Sequence, residues 1–240
     1  MFRSILGKAL VAAALVIPAG AAHADGVFQS GLPEGAAHKL KQLLRNEAHI
    51  KCIAFTSTGG WVVLYDDNGF FAKGIPDDAF DRLKALAENG STLKWIAFTP
   101  GDGYVILADR SGFWARNLPA AAALRLKAAS DDGDDLKSMT FVGKNGWVLV
   151  TDGGFVADAL PADLFPTLQK LSANGDKIKS VAFTPKGGWV VLVNRDGAFD
   201  SGIPEGAMLH IDTLQKLGGS RLRCIAFPPN AENGWVLLAD

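Results

Sequence analysis

A Gly-aromatic pair recurs along the chain at Gly60-Trp61, Gly103-Tyr104, Gly146-Trp147, Gly188-Trp189 and Gly234-Trp235. The spacings are 43, 43, 42 and 46 residues. A period of that length marks a unit of several elements that cannot bury its apolar face alone and must stack against copies of itself. Ahead of each pair lies a strand-like run, at residues 50–56, 93–99, 136–142, 178–184 and 222–228 (KCIAF, KWIAF, KSMTF, KSVAF, RCIAF). A second run starts at each aromatic residue and is apolar at nearly every position, which predicts a middle strand buried on both faces. A third short run follows a turn ending in Gly69, Gly112, Gly154 or Gly197 and leads to Pro76, Pro119, Pro161 and Pro204.

Behind each proline the apolar period changes from two to 3.6. Positions three, seven and ten residues on are Ala79, Leu83, Leu86; Ala122, Leu126, Ala129; Leu164, Leu168, Leu171; and Ala207, Ile211, Leu214. Such offsets share one helical face. Proline suits the first helical turn, where its missing N–H is no loss. Gly90, Gly133 and Gly175 fall where a left-handed residue ends a helix. Each unit therefore reads strand, strand, strand, helix.

The fifth unit stops at Asp240, after its second strand, and the N-terminal end offers what it lacks. Residues 25–33 (DGVFQSGLP) align with 68–76 (NGFFAKGIP), and Ala36, Leu40 and Leu43 repeat the helical stripe behind Pro33. The expected fold is thus α/β: a closed, five-fold pseudosymmetric ring with its helices outside. Its last sheet combines two strands from about 222–240 with the strand and helix of about 25–49. A shared sheet locks the two ends of a ring and leaves no open edge between them.

Residues 1–24 read as a signal peptide. Arg3 and Lys8 precede an apolar stretch too short to span a bilayer, and Ala22-His23-Ala24 has the small-x-small form of a cleavage site. Residues 25–240 are then one repeat domain of an exported protein, periplasmic or secreted, with no membrane contact after cleavage. A formal net charge of −1 gives no reason to expect nucleic acid as a partner.

Strand-strand-strand-helix repeated five times about an axis resembles the pentein, or α/β-propeller, architecture. The resemblance rests on element order, repeat number and the sharing of one unit between the chain ends. Guanidino-modifying penteins use a Cys nucleophile near the C-terminus and a His-x-Asp element, so the resemblance implies Cys224, His210 and Asp212 as a catalytic alternative. Against it, Ile211 occupies the inward helical position, which turns His210 and Asp212 outward, and Cys224 has a twin at the same repeat position in Cys52. Those two cysteines lie in the first and last units, which a ring makes neighbours. Export favours pairing them, so a Cys52–Cys224 disulfide is expected.

Other residues invite weighing. The Gly-Trp aromatics recur in every unit and read as core between sheet and helix. Trp95, at the cysteine position, and Trp114, on a third strand, break the repeat and are ligand-binding candidates. Asp66, Asp109 and Asp152, with Asn194 and Asp240, end the middle strands. They read as residues that bond turn backbone, or else as a polar rim for a ligand. The acidic run of Asp131, Asp132, Asp134 and Asp135 has some character of a Ca²⁺ loop, although an exposed acidic loop is simpler. No P-loop, GxSxG, HExxH or CxxC occurs, so no cofactor is expected. The function expected is that of an exported, monomeric, non-catalytic binding or scaffold protein. It acts on a protein, glycan or small ligand through one ring face or the axial mouth.

Overall fold

The computed structural model describes residues 26–194, 196–218 and 221–240; the signal segment expected at 1–24 lies outside them. The described chain opens with β1 (Gly26–Ser30) and α1 (Glu34–Arg45). Four full units follow. The first contains β2 (Ile50–Phe55), β3 (Trp61–Tyr65), β4 (Gly69–Lys73) and α2 (Asp77–Glu88). The second contains β5 (Leu93–Phe98), β6 (Tyr104–Ala108), β7 (Gly112–Arg116) and α3 (Ala120–Asp131). The third contains β8 (Leu136–Val142), β9 (Gly146–Thr151), β10 (Gly154–Asp158) and α4 (Leu164–Ala173). The fourth contains β11 (Ile178–Phe183), β12 (Trp189–Val193), β13 (Gly197–Ser201) and α5 (Glu205–Leu217). Two strands, β14 (Leu222–Ala226) and β15 (Trp235–Ala239), end the chain.

These strands make five separate three-stranded antiparallel sheets, each with the apolar second run in the middle. The last is ordered β1-β15-β14, with Gly26 opposite Ala239 and Ser30 opposite Trp235. The sheets share no strand pairing, but their first strands lie side by side: β2 by β5, β5 by β8, β8 by β11, β11 by β14 and β14 by β2. Each helix buries its Ala/Leu/Ile stripe and leaves its other faces exposed. A buried Leu or Ile of this kind contributes about 1.5–3 kcal/mol, and the one to three per helix offset the weak helix propensity of such short segments.

The prolines differ in detail from the sequence reading. Pro33, Pro76, Pro119 and Pro204 stand one residue before the helix, at φ near −55° with ψ near 135°. Their extended ψ places them as caps, and their carbonyls accept the first helical N–H bonds. In the fourth helix a turn intervenes between Pro161 and Leu164, and Pro166 sits in the first turn where it breaks no bond. At the other end, Gly90, Gly133 and Gly175 have φ of 75°, 76° and 81°. There the N–H of the following residue returns to a carbonyl five positions back, closing the helix.

The Gly-aromatic pair has two jobs. A Cβ on Gly60 would lie 1.9 Å from the carbonyl oxygen of Gly74, and on Gly188 2.1 Å from that of Gly202. The end of the third strand therefore crosses directly over the start of the second, and only glycine leaves room. The Gly60 N–H also donates to the buried Thr56 hydroxyl at 2.7 Å, as do Gly103 to Thr99 and Gly188 to Thr184. The aromatic partner packs on the helix of the preceding unit: Trp61 against Gly35, Trp235 against Gly206. Tyr104 donates to Asp78 and Trp189 to Asp163 across the same gap. Trp147 has no such partner. Its buried indole N–H has no acceptor, because Ala121 stands at the position 26 residues upstream where those carboxylates occur.

Gly60→Ala is expected to lower unfolding free energy by about 3 kcal/mol or more in denaturant titrations, since the obstructing atom is backbone. A loss under ~1 kcal/mol would contradict the close approach. Ala121→Asp is expected to raise stability by about 1 kcal/mol, by accepting from Trp147 at a helix N-terminus; an unchanged midpoint would show that the acceptor does not reach.

Candidate functional site

Every first strand slips register at the same point, between its first and third residues. The residue inside each bulge is basic: Lys51, Lys94, Lys137, Lys179 and Arg223. A bulge twists the strand and re-aims the extra side chain. Here all five side chains line a single cavity of about 930 Å³ between the first strands. Lys177 and Arg221 add charge at its exposed edge, so seven basic and two acidic residues line it. Trp95 and Ile178, also on first strands, line it as well, together with the 151–154 turn and residues 172 and 175–176.

These cations are held by bonds both within their own unit and to the next one. Lys51 Nζ donates to the Leu93 carbonyl at 3.0 Å and to the Asp67 carbonyl at 3.1 Å. Lys179 donates to the Leu222 carbonyl, and Lys94 to the Asp135 carboxylate, which Lys137 shares. Arg223 pairs with Asp240 and donates to the His49 ring at 2.9 Å. Burial pushes Lys51 and Lys179 below the usual lysine value, and Arg221 pushes Lys179 further the same way. Burial alone would raise Asp135, but the Lys137 and Lys94 ammonium groups hold it below the ordinary carboxylate range.

One residue further on, the side chains form a layer below the basic ones, and four of the five meet the main chain of the next unit. Trp95 Nε1 donates to the Met139 carbonyl at 2.7 Å, and Ser138 Oγ to the Lys179 carbonyl at 2.9 Å. Cys52 Sγ lies 3.9 Å from the Ile96 carbonyl, and Cys224 contacts the main chain of Ile53. The expected disulfide is corrected by this arrangement. Cys52 and Cys224 are free, buried thiols, and no cysteine pair lies at disulfide distance. The two thiols are close enough to share a side-chain hydrogen bond. Burial pushes the Cys52 thiol well above its ordinary value.

The remaining candidates are dispersed. Asp66, Asp109 and Asp152 accept the backbone N–H of His49, Thr92 and Asp135 at 2.8–2.9 Å, as Asn194 does that of Lys177. They tie the end of a middle strand to the loop before the first strand of the same sheet, a partner 17 residues upstream and not their own turn. Asp66, Asp109 and Asn194 adopt φ of 48–54°, which Asp and Asn tolerate best after glycine. Only Asp152 of the three aspartates reaches the cavity. Trp114 packs on the outer strand β7 under Arg82, 5.6 Å from its ring. Asp131 pairs with Lys127 within α3, and Asp132 caps that helix, whereas Asp135 serves the lysines. Asp134 bonds the main chain of Ala129. Among the described residues, no three His, Cys, Asp or Glu side chains converge as a metal site.

The pentein-type set is not brought together. The His210 ring sits between Phe28 and Trp235 at 5.4 and 5.0 Å, bonded to the Gly206 carbonyl, and Asp212 acts on Asp200. Cys224 is engaged by Cys52 and Ile53, with Arg223 and Lys179 acting on it, and not by His210 or Asp212. At the other end of the first strands a second cavity, about 550 Å³, is lined by one phenylalanine per unit: Phe55, Phe98, Phe141, Phe183 and Phe227. No protein-family model matches the chain, and no curated protein is similar enough to count as a relative.

Buried, outward-shielded thiols give a direct check. Ellman's reagent at neutral pH is expected to find no reactive thiol in the folded protein and two in denaturant. Fewer than two in denaturant after aerobic purification would restore the disulfide.

Proposed function

We propose that this is an exported, non-catalytic binding protein, a closed five-unit ring of pentein-like shape that takes a small ligand in the cavity between its first strands. The observation that carries this reading is the convergence of side chains from all five first strands on one cavity of about 930 Å³, a size typical of small-molecule sites. Ring closure is supported by the cyclic order of first-strand contacts, β14 to β2 included, and by the place of β1 in the last sheet. Export rests on the leader-like residues 1–24. Binding without turnover is supported by the make-up of the cavity wall. It offers cations, an indole and the carboxylates of Asp152 and Asp176, while Cys224 is a fully buried thiol outside that wall, acted on by Lys179 and Arg223 and by neither His210 nor Asp212. The ring acts as a monomer, with a small ligand favoured over a protein or glycan because the site is concave.

Equilibrium dialysis of the mature chain against a metabolite extract, followed by mass spectrometry, tests this reading. Retained compounds are expected to be recovered chemically unchanged, and Ser172→Trp at the cavity edge is expected to reduce their retention at least about tenfold, the equivalent of ~1.4 kcal/mol. Conversion of a retained compound, no retention at all, or retention indifferent to Ser172→Trp would each overturn it.

A further inference from the structure

Basic residues occupy the bulge in all five units, whereas the next position varies between Cys, Trp and Ser. A need for inter-unit bonding explains part of this. Lys51 spends two of its three donors on carbonyls, which leaves the third directed elsewhere. Bonding between units does not explain the surplus. The chain carries a net charge of −1, yet this one cavity gathers seven basic residues against two acidic ones, and Lys177 and Arg221 extend the excess to its exposed edge.

Concentrating like charge in a concave, partly desolvated site is unfavourable without a counter-ion; burial lowers both Lys51 and Lys179, and at Lys179 the neighbouring Arg221 and Arg223 push the same way. A cleft of one sign also focuses field and raises the local concentration of the opposite charge. The wall is not wholly polar. Trp95 has its indole N–H bonded to Met139, so what it turns to the cavity is ring surface, and Ile178 lies beside it. A bare inorganic ion would leave that surface and most of the volume unused.

We propose that this cavity binds a small organic anion carrying two or more phosphate or carboxylate groups, paired with the bulged lysines and with Lys177 and Arg221, its apolar part against Trp95. The proposal rests on the reading of the cavity as a ligand site and adds the class of ligand.

Calorimetric titration of the mature full chain with pyrophosphate and with citrate tests it, with glucose as the neutral probe. At low salt at least one anion is expected to bind one to one, and the preferred anion tells phosphate from carboxylate. Affinity should fall about tenfold or more in 0.5 M NaCl. The edge variant Lys177→Gln/Arg221→Gln, whose exposed side chains leave the fold's own bonds untouched, should bind at least about fivefold more weakly with an unchanged melting midpoint. Lys137→Gln should weaken binding inside the cavity as well. Silence from both anions, or binding that neither salt nor the edge variant weakens, overturns the proposal. If glucose or neutral metabolites alone are retained, the cavity remains a ligand site and only the anionic class fails. If the dialysis above also retains nothing, the binding reading itself fails.

Discussion

The edge of each first strand is where this fold is most exposed to failure. A three-stranded sheet buries its middle strand but leaves two edges with unpaired main-chain groups, and an unprotected edge recruits other chains. Here the inner edge is covered by side chains of the preceding unit. Cys52, Trp95 and Ser138 reach the main chain of β5, β8 and β11, and the bulged Lys51 and Lys179 bond the carbonyls of Leu93 and Leu222. No unit supplies this cover for itself. The contact of Cys224 with Ile53 extends the same rule from the last sheet to the first.

Because the first strands stand side by side in the same orientation, equivalent residues gather in layers. Bulged cations collect at one end, the Cys/Trp/Ser layer lies below them, and phenylalanines collect at the other end. The two ends thus differ chemically without any insertion or special loop. Repetition makes the layers, and the few departures from repetition decide what each layer can hold. Trp95 is one such departure, placing a single large ring in a layer otherwise made of Cys and Ser side chains. Asp135 is another, neutralising Lys94 and Lys137 on one side and leaving the opposite side, near Lys179 and Arg221, the more positive.

Much of the fold was legible because period and element type reinforce each other. The helical stripes, the middle strands and the glycine helix ends at Gly90, Gly133 and Gly175 follow from local pattern alone. The candidate site was less legible. The Lys/Arg position was visible in all five first runs, but the chain-wide charge of −1 averages it against aspartates that sit elsewhere, and a bulge has no signature in an apolar run. Asp66 and its equivalents were read as bonding their own turn, whereas their partners lie 17 residues back, a tertiary choice that spacing does not reveal. The cysteine pairing failed for a related reason. The two units are neighbours and their thiols interact, but each thiol also meets main chain of the next unit, Cys52 at Ile96 and Cys224 at Ile53, a tertiary choice that repeat position does not reveal. The empty acceptor position at Trp147 could be found only once Tyr104 and Trp189 had shown where their acceptors lie.

Native-state hydrogen exchange on β1 and β15 tests most directly whether the two chain ends hold the five units together. The account predicts that amides of Val27 to Ser30 are as protected as those of β13 and open only with global unfolding. Exchange of β1 far faster than that of the other third strands, with the remaining four sheets undisturbed, would contradict it.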